Sequence, residues 1–91
     1  MSLYGDSMEI RSAKHLGAVA KARRLELDWS QARVAATAEV SRQWVVAFES
    51  GKATAEMGNV LRTIRALGLV FDLVPAEPGD SGIDIDRLVG G

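Results

Sequence analysis

Apolar residues in this chain recur at helical spacing over four stretches and then change rhythm. From about Ser12, the residues Leu16, Val19, Ala20, Arg23 and Leu27 fall on one helical face, with Lys14, Lys21 and Arg24 off it. Asp28 stands where a helix end calls for a left-handed residue, a conformation Asp tolerates better than most non-glycine residues. Ser30 can cap a second helix from Gln31 to about Ala38, with Val34, Ala35 and Ala38 turned inward. Ser41 can cap a third, from Arg42 to about Ser50, with Val45 and Phe48 inward and Gly51 ending it. Thr54 is placed to cap a fourth, with Glu56 in a first turn where a carboxylate is favoured by the helix dipole. Met57, Val60, Leu61, Ile64 and Leu67 give that helix the strongest apolar stripe in the chain, and Gly68 closes it.

After Gly68 the pattern turns β-like. Leu69, Val70, Phe71, Asp72, Leu73 and Val74 form a short β-branched and aromatic run bounded by Gly68 and Pro75, which predicts a strand over 69–74. A strand cannot stand alone, and the chain offers no second candidate. The expected partner is its own copy, with Leu69, Val70, Phe71, Leu73 and Val74 pairing antiparallel across a homodimer. The organisation expected is an extension at 1–11, a helical domain with its strand at 12–75, and a flexible acidic tail at 76–91. Within that tail, Ile83, Ile85, Leu88 and Val89 among Asp84 and Asp86 read as a solvated terminus or as a docking segment for a protein partner.

Composition bounds the rest. A chain of 91 residues has room for one core. It has no cysteine, hence neither disulfides nor a thiolate metal site, and its single histidine, His15, reads as a solvated helix residue. No apolar run approaches a membrane span and no secretion signal is visible, so a cytoplasmic location is expected. There is no nucleophile–histidine–acid set and no glycine-rich phosphate loop, so the chain does not read as an enzyme, and no cofactor or small-molecule ligand is expected.

The net charge of −1 argues against a nucleic-acid partner until its distribution is considered. Residues 11–52 hold eight basic residues against Glu26, Asp28, Glu39 and Glu49, whereas residues 53–91 carry three arginines against six carboxylates. A basic face on a near-neutral protein is sufficient for phosphate contact, because screening makes local charge matter most.

The stretch from Gln31 to Ser50 joins two short helices through a turn of three or four residues, the arrangement that lays a second helix in a DNA major groove. Ala35 must be small where the helices cross, and Val34, Ala38, Val40, Val45 and Phe48 fill the shared core. Arg42, Gln43, Val46 and Ala47 are left outward on the second helix, with Ser41 and Trp44 at its margins, within reach of phosphates. Arg can grip guanine and Gln adenine with paired hydrogen bonds, and Val46 or Ala47 suits a thymine methyl. The same two polar residues would also suit any solvated helix start. Trp44 can stack in a core or place its indole N–H on a phosphate, and Trp29 reads as a plug between the first two helices.

The segment WSQARVAATAEVSRQWVVAFESGKAT resembles the Xre/phage-repressor family. The shared features are Ser-Gln opening the second helix, Ala35, Ser41 opening the third, and Glu49 and Gly51 closing it. SRQWV, the F-E-x-G-K-x-T run and the RALGL-strand ending look closer still to HipB-type antitoxins. The resemblance covers about two-thirds of the chain. It implies an all-α, lambda-repressor-like bundle of four to five short helices with a C-terminal dimerisation strand. It also implies Ser30 and Gln31 on one phosphate, Ser50 and Lys52 on the other DNA strand, and a structural ion pair between Arg24 and Glu49. Two departures stand out: Glu39 and Asp28 occupy positions where the family often has glycine. Function is then expected to be one of three. The first is an antitoxin that represses its own operon from a palindromic operator and binds a toxin, which the HipB resemblance implies to be kinase-type. The second is a repressor without a toxin, and the third is a protein-interaction module that has left DNA.

Overall fold

The computed structural model describes residues 8–76. Residues 1–7 of the extension and most of the acidic tail, from 77 onward and including the candidate docking segment, lie outside the described residues. Four helices follow in order: α1 Ala13–Glu26, α2 Gln31–Ala38, α3 Arg42–Glu49 and α4 Met57–Ala66.

Local chemistry sets most of the boundaries. Ser12, Ser30 and Ser41 each sit in extended backbone just ahead of a helix. Their hydroxyls accept from the backbone N–H of His15, Arg33 and Trp44 at 2.9, 3.0 and 3.0 Å, satisfying donors that a helix start otherwise leaves orphaned. Asp28 and Glu39, the two residues standing in for glycine, adopt φ of 59° and 60°. Each left-handed non-glycine residue costs on the order of 1 kcal/mol, a strain the surrounding turns sustain.

The start of α4 differs from expectation. Its cap is Glu56, which makes no side-chain cap bond, and Thr54 lies in the preceding turn.

The core is built from Ala20, Val34, Ala35, Val45, Phe48, Val60, Ile64 and Leu67, with Leu16, Leu27, Trp29, Val40, Trp44 and Leu69 packed at its edges. On α4 the apolar stripe is narrower than its sequence suggested. Val60, Thr63, Ile64 and Leu67 are buried, while Met57 and Leu61 are exposed, because α4 leans on α2 along the 60–63–64–67 edge. Thr63 is thereby sealed in with a hydroxyl that has no hydrogen-bond partner. Two long-range bonds fasten α4: Arg23 Nε donates to the Leu67 carbonyl at 2.8 Å, and Arg62 Nε to the Ala38 carbonyl at 3.2 Å.

Residues 69–74 form no strand within the single chain. A strand exists only through its ladder of hydrogen bonds, and one copy has no second edge to pair with. Val70, Leu73 and Val74 are 88%, 95% and 70% exposed, and Phe71 is 43% exposed. No helix among the described residues is long and apolar enough to cross a membrane.

Candidate nucleic-acid interface

Helices α2 and α3 are joined by Glu39, Val40 and Ser41. The left-handed Glu39 reverses the chain, and the N–H of Val40 donates back to the Ala35 carbonyl at 3.0 Å. Ala35 is buried at the crossing, and Val34, Ala38, Val45 and Phe48 close the gap between the helices. With that inner face used for packing, the outward face of α3 is decided. Arg42 and Gln43 are exposed on its first turn, Val46 is 42% exposed one turn on, and Ala47 is half-buried. Neither Arg42 nor Gln43 has a hydrogen-bond or ion-pair partner among the described residues.

What holds α3 in place is a polar cluster at its far end. Arg24 reaches from α1 to Glu49, with Nε–Oε2 at 2.7 Å and Nη2–Oε1 at 3.0 Å, and its Nη1 donates to the Trp29 carbonyl at 2.9 Å. Glu49 Oε1 also accepts from Gln31 Nε2 at 3.1 Å. The helical pattern alone put Arg24 off the packed face of α1, but its side chain is buried against Glu49. A guanidinium so enclosed keeps its charge: the hydrogen bond to Glu49 raises the Arg24 pKa, burial opposes it, and the Glu49 charge raises it further. One residue, Glu49, thus ties α1, the start of α2 and the end of α3 together.

Gly17 makes this possible, and sequence periodicity passed it over. A Cβ there would stand 2.2 Å from the Phe48 carbonyl oxygen and 3.0 Å from that of Glu49, so α1 lies directly on the last turn of α3. The signal was present as a glycine inside a helix, which costs about 1 kcal/mol relative to alanine and usually marks close packing.

The remaining expected phosphate contacts fall at the helix ends. Ser30 and Ser41 cap α2 and α3, and Gln31 is half-buried and oriented by Glu49. Ser50 is exposed past α3 with its hydroxyl donating to the Ala47 carbonyl at 2.9 Å, and Lys52 is exposed two residues on. Of the two readings open for Trp44, the ring stacks on Phe48, centroids 4.9 Å apart and planes 20° from parallel. Beside this stack lies a shallow cleft of about 350 Å³ lined by Gln43, Trp44, Ala47, Lys52, Thr54 and Glu56. Arg33 places its guanidinium over the Trp29 ring at 4.4 Å, an arrangement periodicity did not reveal. No group of histidine, cysteine or carboxylate side chains among the described residues could hold a metal ion.

Comparison with known proteins agrees with this geometry. The sequence profile of the helix-turn-helix domain family matches residues 15–76. An uncharacterized HTH-type transcriptional regulator of Sinorhizobium fredii is 32% identical over 71 residues, covering 78% of this chain and 91% of the relative. Among solved structures, HipB in complex with an O4 20mer matches with a TM-score of 0.71 at 20% identity, covering 77% of this chain and 99% of that one. An MDT protein matches with a TM-score of 0.72 at 20% identity, covering 77% and 99%. The chain therefore belongs to the helix-turn-helix family of DNA-binding transcriptional regulators, of the Xre type, and has the fold of HipB.

Proposed function

We propose that this protein is a sequence-specific repressor that binds a palindromic operator as a homodimer, and that it serves as the antitoxin of a toxin–antitoxin operon. The observation that carries the DNA-binding part is the first turn of α3. Arg42 and Gln43 stand exposed and unpartnered on a helix whose other end is locked by Arg24, Glu49 and Gln31. Exposed, unpaired donors on a rigid helix are pre-organised for base edges, since little entropy remains to be lost on docking. In this reading Arg42 and Gln43 read bases, and Val46 and Ala47 meet a thymine methyl. Ser30, Gln31, Ser41, Ser50 and Lys52 line the DNA backbone, and Trp44, its ring stacked on Phe48, joins them through its indole N–H alone.

Dimerisation is supported by the apolar run at 69–74, whose Val70, Leu73 and Val74 are too exposed to be explained by the single chain. Pairing two copies antiparallel would set two α3 helices about 34 Å apart, one turn of DNA. Repression would then follow from occlusion of a promoter. The antitoxin role rests on the likeness to HipB, and a kinase-type toxin is the partner that likeness suggests. The name of the Sinorhizobium relative favours a second reading, a regulator acting without a toxin.

The test is fluorescence anisotropy with a duplex from upstream of the protein's own gene, at about 150 mM salt with random competitor. Wild type should bind tightly and an Arg42→Ala/Gln43→Ala variant should not. Equal, weak binding by both would reject autorepression. A gene for a toxin beside this one, whose product co-purifies with the full chain, would separate the antitoxin from the stand-alone regulator.

A further inference from the structure

Lys14 is remote from the helix-turn-helix in sequence and adjacent to it in space. Gly51 follows α3 with φ of +92°, and a Cβ on it would stand 2.8 Å from the Lys14 Cα, 3.1 Å from its Cβ and 3.3 Å from its Cγ. The turn after α3 is therefore pressed against the first turn of α1 along the stem of the Lys14 side chain. Gly51 lies between Ser50 and Lys52, the two residues assigned above to the DNA backbone. Both lysines are exposed, and neither has an ion-pair or hydrogen-bond partner among the described residues. The first turn of α1 holds no acidic residue. The backbone of Lys14 therefore meets the turn that carries Lys52, and both exposed cations belong to the junction of α1 with the end of α3.

We propose that Lys14 is a DNA-backbone contact that works with Lys52 to hold the phosphates flanking the recognition helix. This inference rests on the DNA-binding reading and extends it from the helix-turn-helix to α1. The partner chemistry is that of backbone phosphates, because lysine acts here as a point charge without the planar fork that reads a base. Lys14 therefore adds affinity and salt dependence and no sequence preference. Gly51 is a positioning residue: its left-handed backbone and missing Cβ allow the two lysines to share an edge.

Titration of wild type, Lys14→Ala, Lys14→Arg, Lys52→Ala and Arg65→Ala against the upstream duplex and a random duplex, from about 50 to 250 mM salt, tests this. Arg65 is an exposed cation on α4, which packs on α2, so its removal controls for net charge. Lys14→Ala should weaken both duplexes by the same factor and reduce the slope of log K against log salt by about 0.9 per protomer, or about 1.8 for the bound dimer. Lys14→Arg should retain the wild-type slope, and Arg65→Ala should leave it unchanged. A wild-type slope in Lys14→Ala, or an equal loss in Arg65→Ala, overturns the contact while leaving DNA binding intact. Failure of wild type to bind either duplex overturns both readings. Matching thermal melts for Lys14→Ala and wild type exclude unfolding as the cause.

Discussion

Arg24 of α1 grips Glu49 of α3 at two points, Nε to Oε2 at 2.7 Å and Nη2 to Oε1 at 3.0 Å, with both side chains at most one-tenth exposed. The pair sits at the opposite end of α3 from Arg42. It ties the end of α3 to α1. Buried pairs contribute little net stability compared with apolar replacements, but breaking one strands an uncompensated charge.

Arg24→Ala should therefore destabilise the fold by about 2–4 kcal/mol, measured by urea denaturation. The pH dependence follows from the raised Arg24 pKa. A group whose folded pKa is raised contributes stability fully below its unfolded value and loses it only as pH climbs through the folded one. For an arginine that window is strongly alkaline. The difference between wild type and Arg24→Ala should then be the same at about pH 7 and about pH 9. A difference that shrinks over that interval would contradict a permanently charged Arg24.

Two helical glycines should respond oppositely to alanine. Gly17→Ala forces a Cβ to within 2.2 Å of a backbone oxygen on α3, so α1 must move away. A loss of about 1–3 kcal/mol is expected, as for overpacked cores. At Gly58 the nearest atoms to a new Cβ are the Arg62 guanidinium at 3.6 Å and the Glu56 carboxylate at 3.7 Å, ordinary contacts. There the lower entropy of the unfolded chain and the better helix propensity should stabilise by about 0.5–1 kcal/mol. Paired thermal melts check both signs.

Thr63 hides a hydroxyl that bonds to nothing. Thr63→Val keeps the shape and removes the desolvated polar atom, so stability should rise by about 1 kcal/mol. A decrease on chemical denaturation would mean that the hydroxyl is satisfied in solution.

Arg42 and Lys52 should separate by role. Arg42→Ala should cost roughly 1–3 kcal/mol on the operator and relax discrimination at one base pair per half-site. Lys52→Ala should weaken all duplexes alike. Competition binding with single-base operator variants distinguishes the two, and equal effects on operator and random DNA would refute the assignment for Arg42.

Leu73 is 95% exposed in the single chain, so charging it should leave the monomer fold untouched. Sedimentation at micromolar concentration should find wild type dimeric and Leu73→Asp monomeric, because a buried, unpaired carboxylate in a paired strand costs several kcal/mol. A monomeric wild type would remove the dimer from the proposed function.

The sequence by itself determined what depends on neighbours a few residues apart. The serine caps of α2 and α3, the left-handed end of α1 at Asp28, and the inward positions of α2 and α3 were all legible, because each is settled within one or two helical turns. So was the outward pairing of Arg42 with Gln43, which follows once the inward set is known. The tertiary structure decided what depends on a distant partner. By periodicity Arg24 looks peripheral on its own helix, and only the family resemblance pointed to its pair with Glu49; it is buried because Glu49 comes to it, and Gly17 shows its purpose only when α3 lies on top of it. Met57 and Leu61 share a stripe with Val60 and Ile64 yet stay outside, since the angle of α4 on α2 chooses which edge is covered. Lys14 and Gly51 are neighbours only because α1 and α3 pack together. Helical rhythm records that a side chain needs cover, whereas the identity of what covers it is set by how the helices cross.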